Sequence, residues 1–170
     1  MENKLDIVVA NGFSRLSREC AMLATSTSVQ EGYHASLSEL GKADYFVCAG
    51  KGRELLGFAA LANDGIVDND ITILNLCVKR GNNADEVSSN LVEYVVKHSF
   101  GRRYVMADVD KEQTELIKVL ARVGLKKSYA YDNNVVLWLD TSLVAGNDFL
   151  SAEKNLPNFK FTAAEDESQN

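Results

Sequence analysis

Residues 71–101 read ITILNLCVKRGNNADEVSSNLVEYVVKHSFG, and within them the apolar pattern changes from that of a strand to that of a helix. From Ile71 to Val78 every residue except Thr72 and Asn75 is apolar. So short a run, apolar on both sides, suits a central strand covered on both faces. Beyond it Val87, Leu91, Tyr94, Val95 and His98 return every three or four residues, so the stretch DEVSSNLVEYVVKHS is expected to be a helix that Gly101 stops. The unit then repeats. Arg103 to Asp108 (RYVMAD) is β-rich, and Glu112 to Val123 carries Leu116, Val119, Leu120 and Val123 on one helical face before Gly124.

Upstream of this core, Leu5 to Ala10 (LDIVVA) predicts a strand closed by Asn11-Gly12. Two helices are expected next: Ser14 to Ala24, with Leu16, Cys20 and Leu23 on one face, and Val29 to Leu40, with Tyr33, Leu37 and Leu40 on one face and Gly41 as the stop. Asp44 to Ala49 and Leu55 to Leu61, joined by a glycine-rich turn, predict a hairpin. A second turn at Asp64-Gly65 and Asp68-Asn69-Asp70 leads into the central strand. Downstream, Lys126 to Tyr131 and Val135 to Leu139 predict a closing hairpin through Asp132-Asn133-Asn134. The class is α/β (α+β), with a mixed central sheet and about four helices.

The chain has 170 residues, a length that favours one domain with a short appendage. With 46% hydrophobic and 25% charged residues, wholesale disorder is excluded. The longest apolar stretches fall far short of the roughly 20 residues a membrane helix needs, and the N-terminus lacks the pattern of a signal peptide. The expected setting is the cytoplasm or the inside of a viral particle, away from membranes. A net charge of -6, with basic residues only in short pairs such as Lys126-Lys127, argues against a nucleic-acid partner. Cys20, Cys48 and Cys77 have neither disulfide-framework nor zinc spacing and are expected as small buried apolar groups. His34 and His98 lie too far apart, with no acidic pair at ligand spacing, to imply a metal; His98 near a helix end favours the helix dipole.

The element order β, α, α, β, β, β, α, β, α, β, β from about Leu5 to Asp140 resembles that of the GNAT superfamily of N-acetyltransferases. Three local phrases carry the likeness: ILNLCV leading into a loop and helix, LARVGLKKS, and the closing hairpin YAYDNNVVLWLD. The resemblance implies a GNAT-like domain over residues 1–140. It also implies a coenzyme A site, in which a loop of pattern Arg/Gln-x-x-Gly-x-Gly/Ala and the following helix N-terminus hold the pyrophosphate. With Val78 on the last strand position, that pattern falls on Asn83, Ala84, Asp85, Glu86, Val87 and Ser88. Neither glycine is present, and Asn83 stands in place of Arg/Gln.

Those residues also read as a capping box, with Asn83 accepting from the Glu86 amide and Glu86 reaching back, while Asp85 and Glu86 suit the helix dipole and repel an anion. The family's tyrosine acid, counted back from Gly124-Leu125, falls on Leu120, and the asparagine before it near Gln113. Leucine has no proton to give. Tyr129 or Tyr131 could replace the acid from the next strand, and Asp70, beside Asp68, is the candidate base, although strand tyrosines and turn aspartates have structural roles as well. The expectation is a GNAT-fold protein with a degenerate acetyl-CoA site and no cofactor, serving as a binding or structural module. By analogy with bacteriophage members, a virion or accessory protein fits. The alternative is an active acetyl-CoA-dependent N-acetyltransferase with a variant loop.

Residues 141–170 form an appendage whose apolar members, among them Leu143, Val144, Phe149, Leu150, Leu156, Phe159 and Phe161, are too many for a solvated linker. The expectation is a docking arm over residues 143–161, packed on a protein partner or second copy of the chain or on the edge or face of its own sheet, ending in a polar, acidic tail.

Overall fold

The computed structural model describes residues 5–12, 14–26, 37–81 and 83–144. Along the chain run β1 (Asp6–Asn11), α1 (Arg15–Ala24), α2 (Leu37–Leu40), β2 (Tyr45–Lys51), β3 (Glu54–Asn63), β4 (Asp70–Val78), α3 (Ala84–His98), β5 (Tyr104–Asp110), α4 (Thr114–Val123), β6 (Lys126–Tyr131) and β7 (Asn134–Asp140). The strands make one sheet in the order β1-β2-β3-β4-β5-β7-β6. Among the described residues β4 and β5 are the parallel pair and the other neighbours are antiparallel.

Local chemistry explains the ends of these elements. The Ser14 hydroxyl accepts the Ser17 amide at 3.2 Å and so caps α1. Gly124 closes α4 at φ +129°, a conformation that penalises any Cβ, and its N–H meets the Leu120 and Ala121 carbonyls. Glu112, expected inside that helix, belongs to the turn before it. Its amide donates to Asp110 Oδ1 at 2.8 Å, so the helix starts at Thr114. Of the helix expected from Val29, Leu37–Leu40 is described; Tyr33 and His34 lie outside the described residues.

Each face of the sheet packs its own core. On one, Leu16 and Cys20 of α1 and Leu40 of α2 cover Val8, Phe46, Cys48, Phe58 and Cys77. On the other, Val87, Leu91 and Val95 of α3 and Leu116, Val119 and Leu120 of α4 cover Val47, Leu61, Ile71, Ile73, Val105 and Leu137. All three cysteines are free and buried, as a space-filling role requires. Desolvation raises the thiol pKa of Cys20 and pushes that of Cys77 up to about 12, which makes both poor nucleophiles.

Two features of β4 set up the site. Ala60 pairs with Asn75 but Leu61 pairs with Ile73, so Leu74 is an extra residue, a bulge. It shifts the alternation: Ile71 and Ile73 face α3 before it, Leu76 and Val78 after it, while Cys77 turns to the α1 side. Pairing with β5 is confined to Asp70–Tyr104, Ile71–Val105 and Thr72–Met106. Beyond Thr72 the two parallel strands part.

After β7 the fold continues through a 3-10 turn at Thr141–Leu143. Thr141 is fully buried and its hydroxyl donates to the Arg103 carbonyl at 2.6 Å. Val144 packs on the core and Leu143 is 82% exposed; the rest of the expected docking arm lies outside the described residues.

Candidate functional site in the sheet cleft

The carboxyl ends of parallel strands that separate form the crevice in which open α/β sheets bind ligands. Here that crevice lies between Ile73–Val78 of β4 and the end of β5, with the first turn of α3 reached from Val78 through residues 79–83. Gly57 seats this helix on β3. A Cβ at Gly57 would lie 2.9 Å from Val87 Cγ1 and 3.0 Å from the Cys77 carbonyl oxygen. The helix start is therefore held by close packing, with Ala84 and Val87 buried and Ser88 fully so.

The capping box expected at this turn is absent. Asn83 has φ -96° and ψ 5°, and its side chain makes no cap bond. The turn is closed by backbone instead: the Ala84 amide donates to Gly81 O at 3.3 Å and the Val87 amide to Asn83 O at 2.8 Å. The reason is conformational. A capping side chain reaches its amides from an extended backbone, which Asn83 does not adopt. Among the described residues nothing accepts from the Asp85 or Glu86 amide. Both side chains are exposed in the first turn, where two carboxylates suit the helix dipole and disfavour an anion. Val87 and Ser88 are consumed by packing. Residues 83–88 supply neither of the glycines in the pattern that the family uses for the pyrophosphate of coenzyme A.

The candidate catalytic residues separate. Leu120, at the position of the family's acid, is fully buried in the core under α4. Asp70 lies at the opposite end of β4, eight residues from Val78 and about 26 Å away at ~3.3 Å per residue. It is fully buried. Its carboxylate accepts from the amides of Gly65 at 2.9 Å, Ile66 at 3.1 Å and Val67 at 3.0 Å, and from the Thr72 hydroxyl at 3.1 Å. Those bonds hold the Asp64–Asn69 turn and leave no lone pair directed at a substrate. Asp68 contributes to the same turn by sequence alone, since no bond of its side chain is found among the described residues.

Tyr129 and Tyr131 are 55% and 42% exposed, on the sheet face away from α3 and α4. Their rings lie 6.0 Å apart. Tyr131 donates its hydroxyl to Asp108 Oδ2, and the Asn134 side-chain amide donates to Asp108 Oδ1 at 2.9 Å. The bond from Tyr131 to the Asp108 carboxylate raises the Tyr131 pKa. Asp108 was not singled out by the sequence; the alternation of RYVMADVD, which puts it on the face opposite Ala107 and Val109, was the available signal. Among the described residues no group of acidic, histidine or cysteine side chains could hold a metal ion.

No protein-family model matches the sequence, and no curated relative does. Solved structures do. An acetyltransferase of Bacillus subtilis in complex with CoA superposes with a TM-score of 0.60 at 16% identity, over 81% of this chain and 99% of that one. The ribosomal-protein-S18-alanine N-acetyltransferase of Escherichia coli gives 0.60 at 12% identity, over 85% and 99%. An N-acetyltransferase of Staphylococcus aureus Mu50 gives 0.58 at 12%, over 82% and 99%. The chain has the GNAT fold. Its helices include none long and apolar enough to cross a membrane among the described residues.

Proposed function

We propose that this chain is a GNAT-fold binding or structural module that does not transfer acetyl groups and requires no cofactor. The burial of Leu120 carries this reading. A general acid must reach the leaving group, and a leucine with no exposed surface at that position supplies neither a proton nor a path for one. The acidic first turn of α3 and the saturated hydrogen bonding of Asp70 support it from two other places in the fold. A protein partner reached through residues 143–161, in the cytoplasm or within a viral particle, completes the proposal.

A thermal melt of the full chain in acetyl-CoA tests it. Ligand at 100 times its dissociation constant adds about 2.7 kcal/mol of stability, and the expected result is no shift. A dose-dependent rise, or acetyl transfer to any member of an amine panel, overturns the proposal. One observation favours the second reading, an active N-acetyltransferase with a variant loop: the fold superposes on an acetyltransferase of Bacillus subtilis in complex with CoA over 81% of this chain and 99% of that one, with a TM-score of 0.60. The same melt decides between the two.

A further inference from the structure

Resting on the reading of the chain as a binding module, we propose that the exposed sheet face at Asp108, Tyr129 and Tyr131 receives an arginine side chain of a protein partner. The molecule contains its own template for such a site. At the other end of the same face, Asp140 of β7 pairs with Tyr104 of β5. The Arg103 guanidinium lies 5.4 Å from the Tyr104 ring centroid and donates to Asp140 from Nε at 3.2 Å and Nη2 at 3.0 Å. Asp140 holds this cation while also accepting from the Ser142 amide at 3.1 Å and hydroxyl at 2.7 Å. A carboxylate with two neutral donors therefore still takes up a guanidinium.

Four residues along β5, about 13 Å at ~3.3 Å per residue, the arrangement recurs. Asp108 accepts from two neutral donors, Tyr131 and Asn134, and two tyrosine rings stand beside it. The missing element is the cation. Among the described residues no lysine, arginine or histidine pairs with Asp108, which is exposed. Neutral donors orient a carboxylate without neutralising it, and the ring faces add attraction for a cation laid on them. Arginine fits better than lysine because its planar group can stack on a ring and donate to a carboxylate together. The chain's net charge of -6 draws a basic partner toward the surface.

Titration of the isotopically labelled full chain with N-acetylarginine amide, followed by NMR, tests the site against N-acetylcitrulline amide and N-acetyllysine amide. Arginine is expected to shift the resonances of Asp108, Tyr129, Tyr131 and Asn134, and citrulline to bind about tenfold more weakly for want of the charge. Asp108→Asn should lose a similar factor. Tyr129→Ala, which keeps the carboxylate and its two donors, should lose about two- to fivefold. Silence of these resonances at tens of millimolar arginine overturns the proposal, as does equal binding of citrulline or lysine, or unchanged affinity in a folded Asp108→Asn variant. Failure here with a flat acetyl-CoA melt removes the arginine site alone, whereas a shifted melt removes the non-catalytic reading alone.

Discussion

The two ends of β4 are built on opposite principles. At its start, Asp70, Tyr104 and Asp140 lie in one row across β4, β5 and β7, and nearly every polar group near them is tied. Asp70 closes one turn, Asp64 accepts from the Asn69 amide and from Arg102 Nη1, and Thr141 fastens the chain beyond β7 to Arg103. At its other end the strand has bulged at Leu74 and left β5, and the helix that follows begins without a side-chain cap. Saturated hydrogen bonding makes a rigid clamp; strands that part leave a crevice beside the start of α3. The helix beside this crevice carries Asp85 and Glu86 in its first turn, two carboxylates that disfavour an anion at that helix end.

If the start of β4 is the clamp, Asp70→Ala should be the costliest change. It leaves three amides and a hydroxyl without their acceptor, and a loss of about 3 to 4 kcal/mol is expected in urea unfolding. A loss below about 1 kcal/mol would show that water replaces the carboxylate and that the two ends differ little. Gly57→Val probes the packing that seats α3 at the open end. The added side chain meets Val87 and the Cys77 carbonyl, so about 1 to 3 kcal/mol should go. Retained stability would mean that the helix start can move aside.

Glu86→Gly sharpens the contrast. With no capping bond to break, its cost should come from backbone freedom and the lost dipole interaction, about 0.5 to 1 kcal/mol. A gain in stability, or a new response to acetyl-CoA in the melt, would reveal an anion site masked by one side chain. The smallest effect belongs to Asp140, whose pKa Arg103 first, then Ser142, lowers from 3.8 to about 2. A depressed carboxyl pKa favours the folded state above the unfolded value, and that contribution fades as pH falls from about 4 to about 2. Asp140→Asn should therefore narrow its stability gap to the parent chain across that window. A constant gap would assign the effect to packing.

Much of this architecture was legible in residue order. The β-rich runs LDIVVA and DYFVCA, the double-sided apolar run ITILNLCV and the helical spacing from Val87 to His98 are local, and each became the element it predicted. Turn chemistry at Asn11-Gly12 and Gly124 set boundaries for the same reason. The site was less legible. NADE has the residues of a capping box, but the cap depends on the φ and ψ of Asn83, which those four residues do not fix by themselves. Asp108 looked like one more acid at the end of a strand, because its partners Tyr131 and Asn134 come from a hairpin 23 and 26 residues later.

By itself, then, the sequence determined the strands, most of the helices, their order, and the glycine-free stretch Asn83–Ser88 with its two acids at the start of α3, since periodicity, turn residues and charge act over a few neighbours. Tertiary structure alone decided where β4 and β5 part, which way Leu74 shifts the strand's faces, that Asp70 is spent on a turn, and that one tyrosine–carboxylate pair holds an arginine while the other does not. Those outcomes depend on registers between strands and on contacts across dozens of residues, where the free energy of a group is set by its spatial neighbours and not by its place in the chain.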